Sequence, residues 1–333
     1  PMPTDVATRH PLAARRILRL ALGTSLCLLF SQVITWPLSF VAPVLTLVIL
    51  ATPLPPLPPK KAVGLLVAQL APLVLGALFL LPFMEYARWV AVLLVALALF
   101  YSFYYTARGG NPVMGTFMTI GLTMIVTVGS VSGDVVWMLI KAMAVCTVIA
   151  ILFTWIAHAL LPDLPPDESS PRMKPPQPET PAPAVAGRNA LRALAVTLPM
   201  ALLFLFMSGS PSYTVVMIKV ATMGQQATAD HSKAMATSLI SSTLWGGLAA
   251  IVAWQVLSIW PSLTMYTLLV GLAGLVFGRW IFKGPAIHPR LQTAQYAYLT
   301  MIVILAPAVL DGITSSGAGA AFWSRGLLIM LTA

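Results

Sequence analysis

The sequence predicts an all-α polytopic membrane protein of about twelve transmembrane helices, built as two parallel six-helix repeats. Three observations carry that prediction: the composition, the spacing of the apolar runs and the placement of the basic residues. Of 333 residues, 59% are hydrophobic and 8% are charged, against about 25% charged in a soluble domain. A soluble core this apolar would lack polar surface to cover it, so lipid is the natural solvent. Lys and Arg lying beside the membrane on its cytoplasmic side account for the net charge of +10, and no nucleic-acid partner is needed to explain it.

A bilayer core of roughly 30 Å takes about 20 apolar helical residues. On that measure the first half of the chain holds segments near 16–36, 38–52, 62–82, 87–106, 112–129 and 136–160. The second half holds segments near 190–208, 212–226, 234–257, 262–282, 291–310 and 321–333. The last run stops short of a full span, which predicts that the natural chain continues past Ala333. No cleavable leader is expected, because the first apolar run is too long and similar runs keep following it. Cys27 and Cys146 sit inside apolar runs and read as small core side chains, not as a disulfide.

These segments divide the chain into a first six-helix repeat over 1–161, a linker over 162–187 and a second repeat over 188–333. The linker holds nine prolines among scattered Asp, Glu, Ser, Arg and Lys. A segment so composed cannot bury a core and reads as an extended connection.

Orientation follows from the basic residues. With both termini inside, fifteen of the nineteen Lys and Arg fall at cytoplasmic ends, among them Arg15, Arg16, Arg19, Lys60, Lys61, Arg108 and Arg279. Only Arg88 falls on the opposite side, while Lys141, Lys219 and Arg325 lie within or at the edge of spans. That asymmetry places the N-terminus in the cytoplasm of a multi-pass protein of the bacterial inner membrane.

The halves resemble one another at an offset of 172–177 residues. Leu18-Arg19 recurs as Leu191-Arg192, Lys61-Ala62 as Lys233-Ala234, and Thr123-Met124-Ile125-Val126 as Thr300-Met301-Ile302-Val303. Lys141 and Arg325 open the sixth and twelfth segments. With six spans in each half, the repeats share one orientation about an axis along the membrane normal.

The run Arg15-Arg16-Ile17-Leu18-Arg19-Leu20-Ala21, the short segment from Trp36-Pro37 to Ala51-Thr52-Pro53, the six-plus-six layout and the basic residue opening each sixth helix are similar to the fusaric acid resistance and aromatic acid exporter family. The chain resembles a compact branch of it, with the proline-rich linker where many members carry a large soluble domain. The resemblance implies an efflux component that works with a periplasmic adaptor of the membrane-fusion type, on substrates that are often aromatic or lipophilic acids.

The residues themselves point away from an enzyme. The chain has no phosphate-binding glycine loop, no HExxH and no GxSxG. Its four histidines are scattered, so no metal site or cofactor is expected. The informative residues are polar groups inside apolar runs. Lys219 falls near the middle of 213–226, where a charge costs at least ~2.5 kcal/mol on insertion scales. It either contacts an anionic substrate or snorkels to the interface. Lys141 and Arg325 each follow a tryptophan, Trp137 and Trp323, and read either as substrate contacts or as interfacial anchors. Asp134 and Asp311 occupy corresponding loops, where they serve proton coupling or gating, or are simply solvated.

The second and eighth segments are short, and Pro43 interrupts the second. Short or broken spans at matching places in two halves point to a transport site. Pro43, Thr46, Tyr213, Thr222, Gln225 and Gln226 therefore join the substrate-binding candidates. Tyr101, Phe103, Tyr104 and Tyr105 read as an interfacial belt. Gly271, Gly274 and Gly278 share one helix face and suit close packing.

The reading that follows is a secondary exporter of organic, anionic or aromatic compounds that also assembles with itself. Its rivals are a passive organic-anion channel and a non-transporting membrane subunit of a secretion complex.

Overall fold

A computed structural model describes residues 10–34, 36, 38–52, 56–128, 133–162, 182–206, 232–282 and 289–310. Among them every regular element is a helix. In chain order these are α1 (His10–Val33), α2 (Val41–Ala51), α3 (Pro59–Leu75), α4 (Leu81–Tyr86), α5 (Arg88–Ala107), α6 (Pro112–Val128) and α7 (Gly133–Leu160). After the linker come α8 (Pro183–Phe206), α9 (Ser232–Ile259), α10 (Leu263–Ile281) and α11 (Pro289–Leu310).

The boundaries follow local chemistry. Pro59 opens α3 where no N–H is needed. Pro72 removes a donor inside α3, and the helix widens into a π turn over Gly76–Leu80 before α4. The third span is thus one helix with a π turn inside it, in the place expected over 62–82. Gly109, at φ 85, turns the chain between α5 and α6, and Asn111 Oδ1 accepts from the Val113 N–H at 3.0 Å to start α6. Ser262 caps α10 through the Met265 N–H at 3.1 Å. α8 begins at Pro183, inside the expected linker, because proline is well tolerated in a helix's first turn. The segments expected at 212–226 and 321–333 lie outside the described residues, as do residues 163–181 of the linker.

Among the described residues six stretches are long and apolar enough to cross a bilayer: Ala13–Val33, Pro59–Phe79, Trp89–Ala107, Asp134–Leu160, Ile240–Ile259 and Leu263–Ile281. Shorter apolar helices run over Val41–Ala51, Pro112–Met124 and Thr293–Ala306. By length and composition the chain is a multi-pass membrane protein.

α2 and the middle of α11 lie deepest. All eleven residues of α2 are buried, and so are residues 297–306 of α11; the two helices touch. A helix that is apolar all round belongs inside a bundle, and here α1, α7 and α11 pack on α2. α5 stands further out. On α5, Trp89, Leu93, Leu97 and Tyr101 are exposed, while Ala91, Val95, Leu99 and Phe103 are buried.

The packing pairs form a pattern. α3 lies on α6, and α9 on α11. α1 lies on α10, and α5 on α8, so each of these two crossings joins a helix before the linker to one after it. Glycines set the closest approaches. A Cβ on Gly121 of α6 would stand 2.5 Å from the Gln69 carbonyl oxygen of α3. One on Gly246 of α9 would collide with the Ala297 carbonyl oxygen of α11.

Basic residues collect at one end. Arg19 donates to the Leu161 carbonyl from Nε at 3.2 Å and Nη2 at 2.5 Å, and Arg15 donates to the Pro162 carbonyl at 3.0 Å. The start of α1 therefore meets the end of α7. Trp155 Nε1 donates to the Leu57 carbonyl at 3.0 Å, which brings the start of α3, with Lys60 and Lys61, to that end. Gly278 lies on Ile17, Gly274 on Ala21 and Gly271 on Ser25, so α10 runs antiparallel to α1 and delivers Arg279 there too.

Candidate functional site

The structure turns attention to the hairpin formed by α1 and α2. Cys146 of α7 donates to the Leu38 carbonyl, with sulfur and oxygen 3.5 Å apart. Cys146 is thirteen residues from the start of α7 and fifteen from Leu161, about 20 Å and about 22 Å along the helix at 1.5 Å per residue. The hairpin tip thus meets α7 near its middle, deep inside the apolar layer. Leu38 itself has φ 61. For a non-glycine residue that conformation costs roughly 1–2 kcal/mol, and such strain gathers where the surroundings hold a functional segment in place.

The α1 side of the hairpin carries a polar face. Thr24, Cys27 and Ser31 are spaced three and four apart, so they share one face of the helix, and all three are buried. Thr46 of α2 meets this face. Its hydroxyl contacts Cys27 Sγ at 3.2 Å and donates to the Ala42 carbonyl at 2.9 Å. Both cysteines are free and buried, as expected from their apolar runs.

Several of these polar groups have no protein partner. The hydroxyls of Thr24, Ser31 and Ser39, the Gln32 Nε2 and the Trp36 Nε1 are all buried without a hydrogen bond. Thr24 lies beside the Tyr298 phenol, which donates to the Val270 carbonyl at 2.9 Å and whose oxygen can still accept. Ser31 lies beside the Cys27 sulfur, a weak acceptor, outside hydrogen-bonding geometry. Away from the hairpin, Gln69 of α3 is fully buried with both amide atoms unpaired, as is the Tyr266 hydroxyl of α10. Buried polar groups are nearly always paired, so this concentration on one hairpin marks it out.

Of the candidates read from the sequence, Pro43 and Thr46 lie within the buried α2. Lys141 and Asp134 both lie on α7 and are exposed. They are seven residues apart, about 10 Å along the helix, and share a face with the exposed Trp137. Neither stands among the buried hairpin groups. Lys219, Tyr213, Thr222, Gln225, Gln226, Arg325 and Asp311 lie outside the described residues. The aromatic belt needs a correction: Tyr101 and Tyr105 are exposed, but Phe103 is fully buried, because its position on α5 turns inward with Leu99. The glycine face of 271, 274 and 278 does what its spacing predicts and packs on α1.

Thr24, Ser31, Ser39 and Gln69 were not singled out by sequence reasoning. A signal existed in the polar residues at helical spacing inside the first apolar run. The repeated Thr-Met-Ile-Val supplies a second one: Thr123 and Thr300 are both fully buried, and both bond the carbonyl four residues back, at 2.9 and 2.6 Å.

Among the described residues no group of three or more His, Cys, Asp or Glu is placed to hold a metal ion. A family model described as "Protein of unknown function (DUF2955)" matches residues 16–157, from α1 through most of α7, and thus includes the hairpin. No curated protein and no solved structure matches the chain.

Proposed function

We propose that the chain is the membrane component of an inner-membrane secondary exporter of organic, anionic or aromatic compounds, built as two parallel six-helix repeats with a cytoplasmic N-terminus and a periplasmic adaptor as partner. The observation that carries this reading is the contact between α2, short and wholly buried, and α11, one helix from each half. Short spans near the midplane, where two repeats meet, are where transporters hold substrate.

The packing supports the repeat. In the order of the twelve segments, α1 with α10 is the first with the tenth, and α5 with α8 is the fourth with the seventh. Exchanging the halves converts one crossing into the other. The same exchange converts α3 on α6 into α9 on α11, each a third segment on a fifth. The basic end formed by Arg15, Arg19, Lys60, Lys61 and Arg279 supports its assignment to the cytoplasm.

In this reading substrate passes from the cytoplasm or inner leaflet to the adaptor, and the proton gradient is the natural energy source. Lys219 contacts the acid group of the substrate. Cells loaded with benzoate test the scheme. The wild-type protein should export it against a gradient, and Lys219→Met at matched membrane levels should not. Lys219→Arg should keep part of the activity, since it retains charge with a different geometry. Efflux that only ever runs downhill would replace the exporter by the channel. Equal export by wild type and Lys219→Met would remove Lys219 from the site.

A further inference from the structure

We infer that the tip of the α1–α2 hairpin is an intramembrane binding site for the uncharged form of its ligand, a small molecule that presents a carbonyl or protonated carboxyl oxygen on an apolar body. This uncharged form differs from the ionised acid that Lys219 contacts in the exporter reading; the carboxylic-acid identity of the ligand rests on that reading, and the existence and chemistry of the hairpin site do not.

Five side chains between residues 24 and 39 bury a polar atom that has no hydrogen-bond partner, and three of them, Thr24, Ser31 and Ser39, are buried whole. Two of the unpaired atoms, Trp36 Nε1 and Gln32 Nε2, are donors only. The hydroxyls of Ser31 and Ser39 donate as well as accept. An occupant must therefore offer acceptors first. A buried donor left unmet keeps its full desolvation cost, so the hairpin as built favours whatever meets them.

Charge decides the form in which that occupant binds. Among the described residues, the cations nearest in sequence are Arg15, Arg16 and Arg19, and Arg15 and Arg19 are engaged at the far end of α1 by the carbonyls that end α7. Lys141 stands exposed on α7. Among the described residues no cation stands at the tip, so against them an anion would lose its hydration without a counter-charge, a far larger loss than that of a neutral carbonyl. The body of the ligand is apolar because the walls are: Phe40, Val41, Val44 and Leu45 are all buried there. Access exists, since Val33 and Ile34 beside the tip are exposed.

The test uses the full chain in lipid nanodiscs. Cys27→Ala and Cys146→Ala remove the native thiols, and Ser39→Cys introduces one at the tip. Ser31→Cys is the second reporter should the first fold poorly. The rate of modification by a water-soluble methanethiosulfonate is measured alone, with millimolar benzamide and with millimolar benzenesulfonate. The expected result is reaction at the tip, slowed at least threefold by benzamide and unchanged by the sulfonate. No reaction in either folded reporter shows a dry core and overturns the inference. Reaction without protection by benzamide shows water alone and overturns it too, and equal protection by the sulfonate overturns the neutral-ligand chemistry. None of these readings involves export, so a failure of the benzoate assay leaves them standing, and their failure leaves the export result untouched.

Discussion

Two of the crossings that tie the first half of the chain to the second are built from different materials. In the α1–α10 crossing, Gly271, Gly274 and Gly278 let the helix backbones approach. A Cβ on Gly274 would stand 2.8 Å from the Ala21 Cα and 2.9 Å from the Tyr298 hydroxyl. In the α5–α8 crossing the small residues carry Cβ atoms. Ala186, Ala190, Ala193, Thr197 and Ala201 line the buried side of α8, against a buried side of α5 that includes Val95, Leu99 and Phe103. The first crossing is backbone on backbone; the second seats large side chains over small ones. Within apolar surroundings helix association depends on such contact, since lipid is as apolar as the side chains. The difference also separates what each crossing positions. α10 presses on α1, whose opposite neighbours are α2 and α7, so its fit bears on the hairpin. α8 packs on α5 and α6, away from it.

The largest effect is expected where the backbone has no room. Gly274→Val forces α1 and α10 apart and should cost about 1–3 kcal/mol, the range for overpacking. Ala193→Gly on α8 removes one buried methyl group and should cost about 1 kcal/mol or less on the transfer scale. Thermal unfolding of the detergent-purified variants, followed by the onset of aggregation, ranks them. A Gly274→Val protein as stable as Ala193→Gly would show that the two crossings are not built differently after all.

An intermediate effect is expected at the basic end of α1. Arg19 is 5% exposed and both its Nε and Nη2 reach one carbonyl at the end of α7. Arg19→Lys keeps the charge and loses the fork, and should cost about 1 kcal/mol. The hairpin hangs from α1 between these two fixings, so the same variant should also change the labelling rate of Ser39→Cys. An unchanged melting temperature would show that the carbonyls ending α7 are served equally well by water.

Much of the helix plan was legible in the sequence, because a bilayer demands long apolar runs and the basic residues mark their ends. The glycine face at 271, 274 and 278 was legible for a related reason: small residues at helical spacing have few other uses in such a helix. The site was less so. Thr46 and Pro43 were proposed from the shortness of their segment, but hydropathy treats α2 and α5 alike, and only packing shows that one is enclosed and the other half exposed. Thr24 and Ser31 escaped notice because hydroxyl residues in apolar helices usually bond their own backbone, as Thr123 and Thr300 do. That Thr24 and Ser31 do not is a property of three-dimensional surroundings, which periodicity cannot report.

The smallest effect is expected at Lys141, and it separates two readings that the sequence left open. A lysine within a span either serves the interior of the bundle or reaches for the interface. Its position is outward: it is exposed on α7, on the face that carries Trp137, Leu152 and Trp155, all exposed as well. It lies eight residues from Gly133, about 12 Å along the helix, within reach of the membrane surface for a long flexible side chain leaning toward it. Nothing at the hairpin depends on it. Lys141→Gln should therefore leave the melting temperature within the ordinary scatter of surface changes, about 0.5 kcal/mol in stability, and leave benzoate export at the wild-type rate. If export falls while stability holds, the outward face of α7 is itself part of the substrate route or of a contact with a second subunit, and the hairpin is not the whole site. If stability falls as well, the lysine is buried by a neighbour in the membrane, and crosslinking through Trp137→Cys should then trap that neighbour.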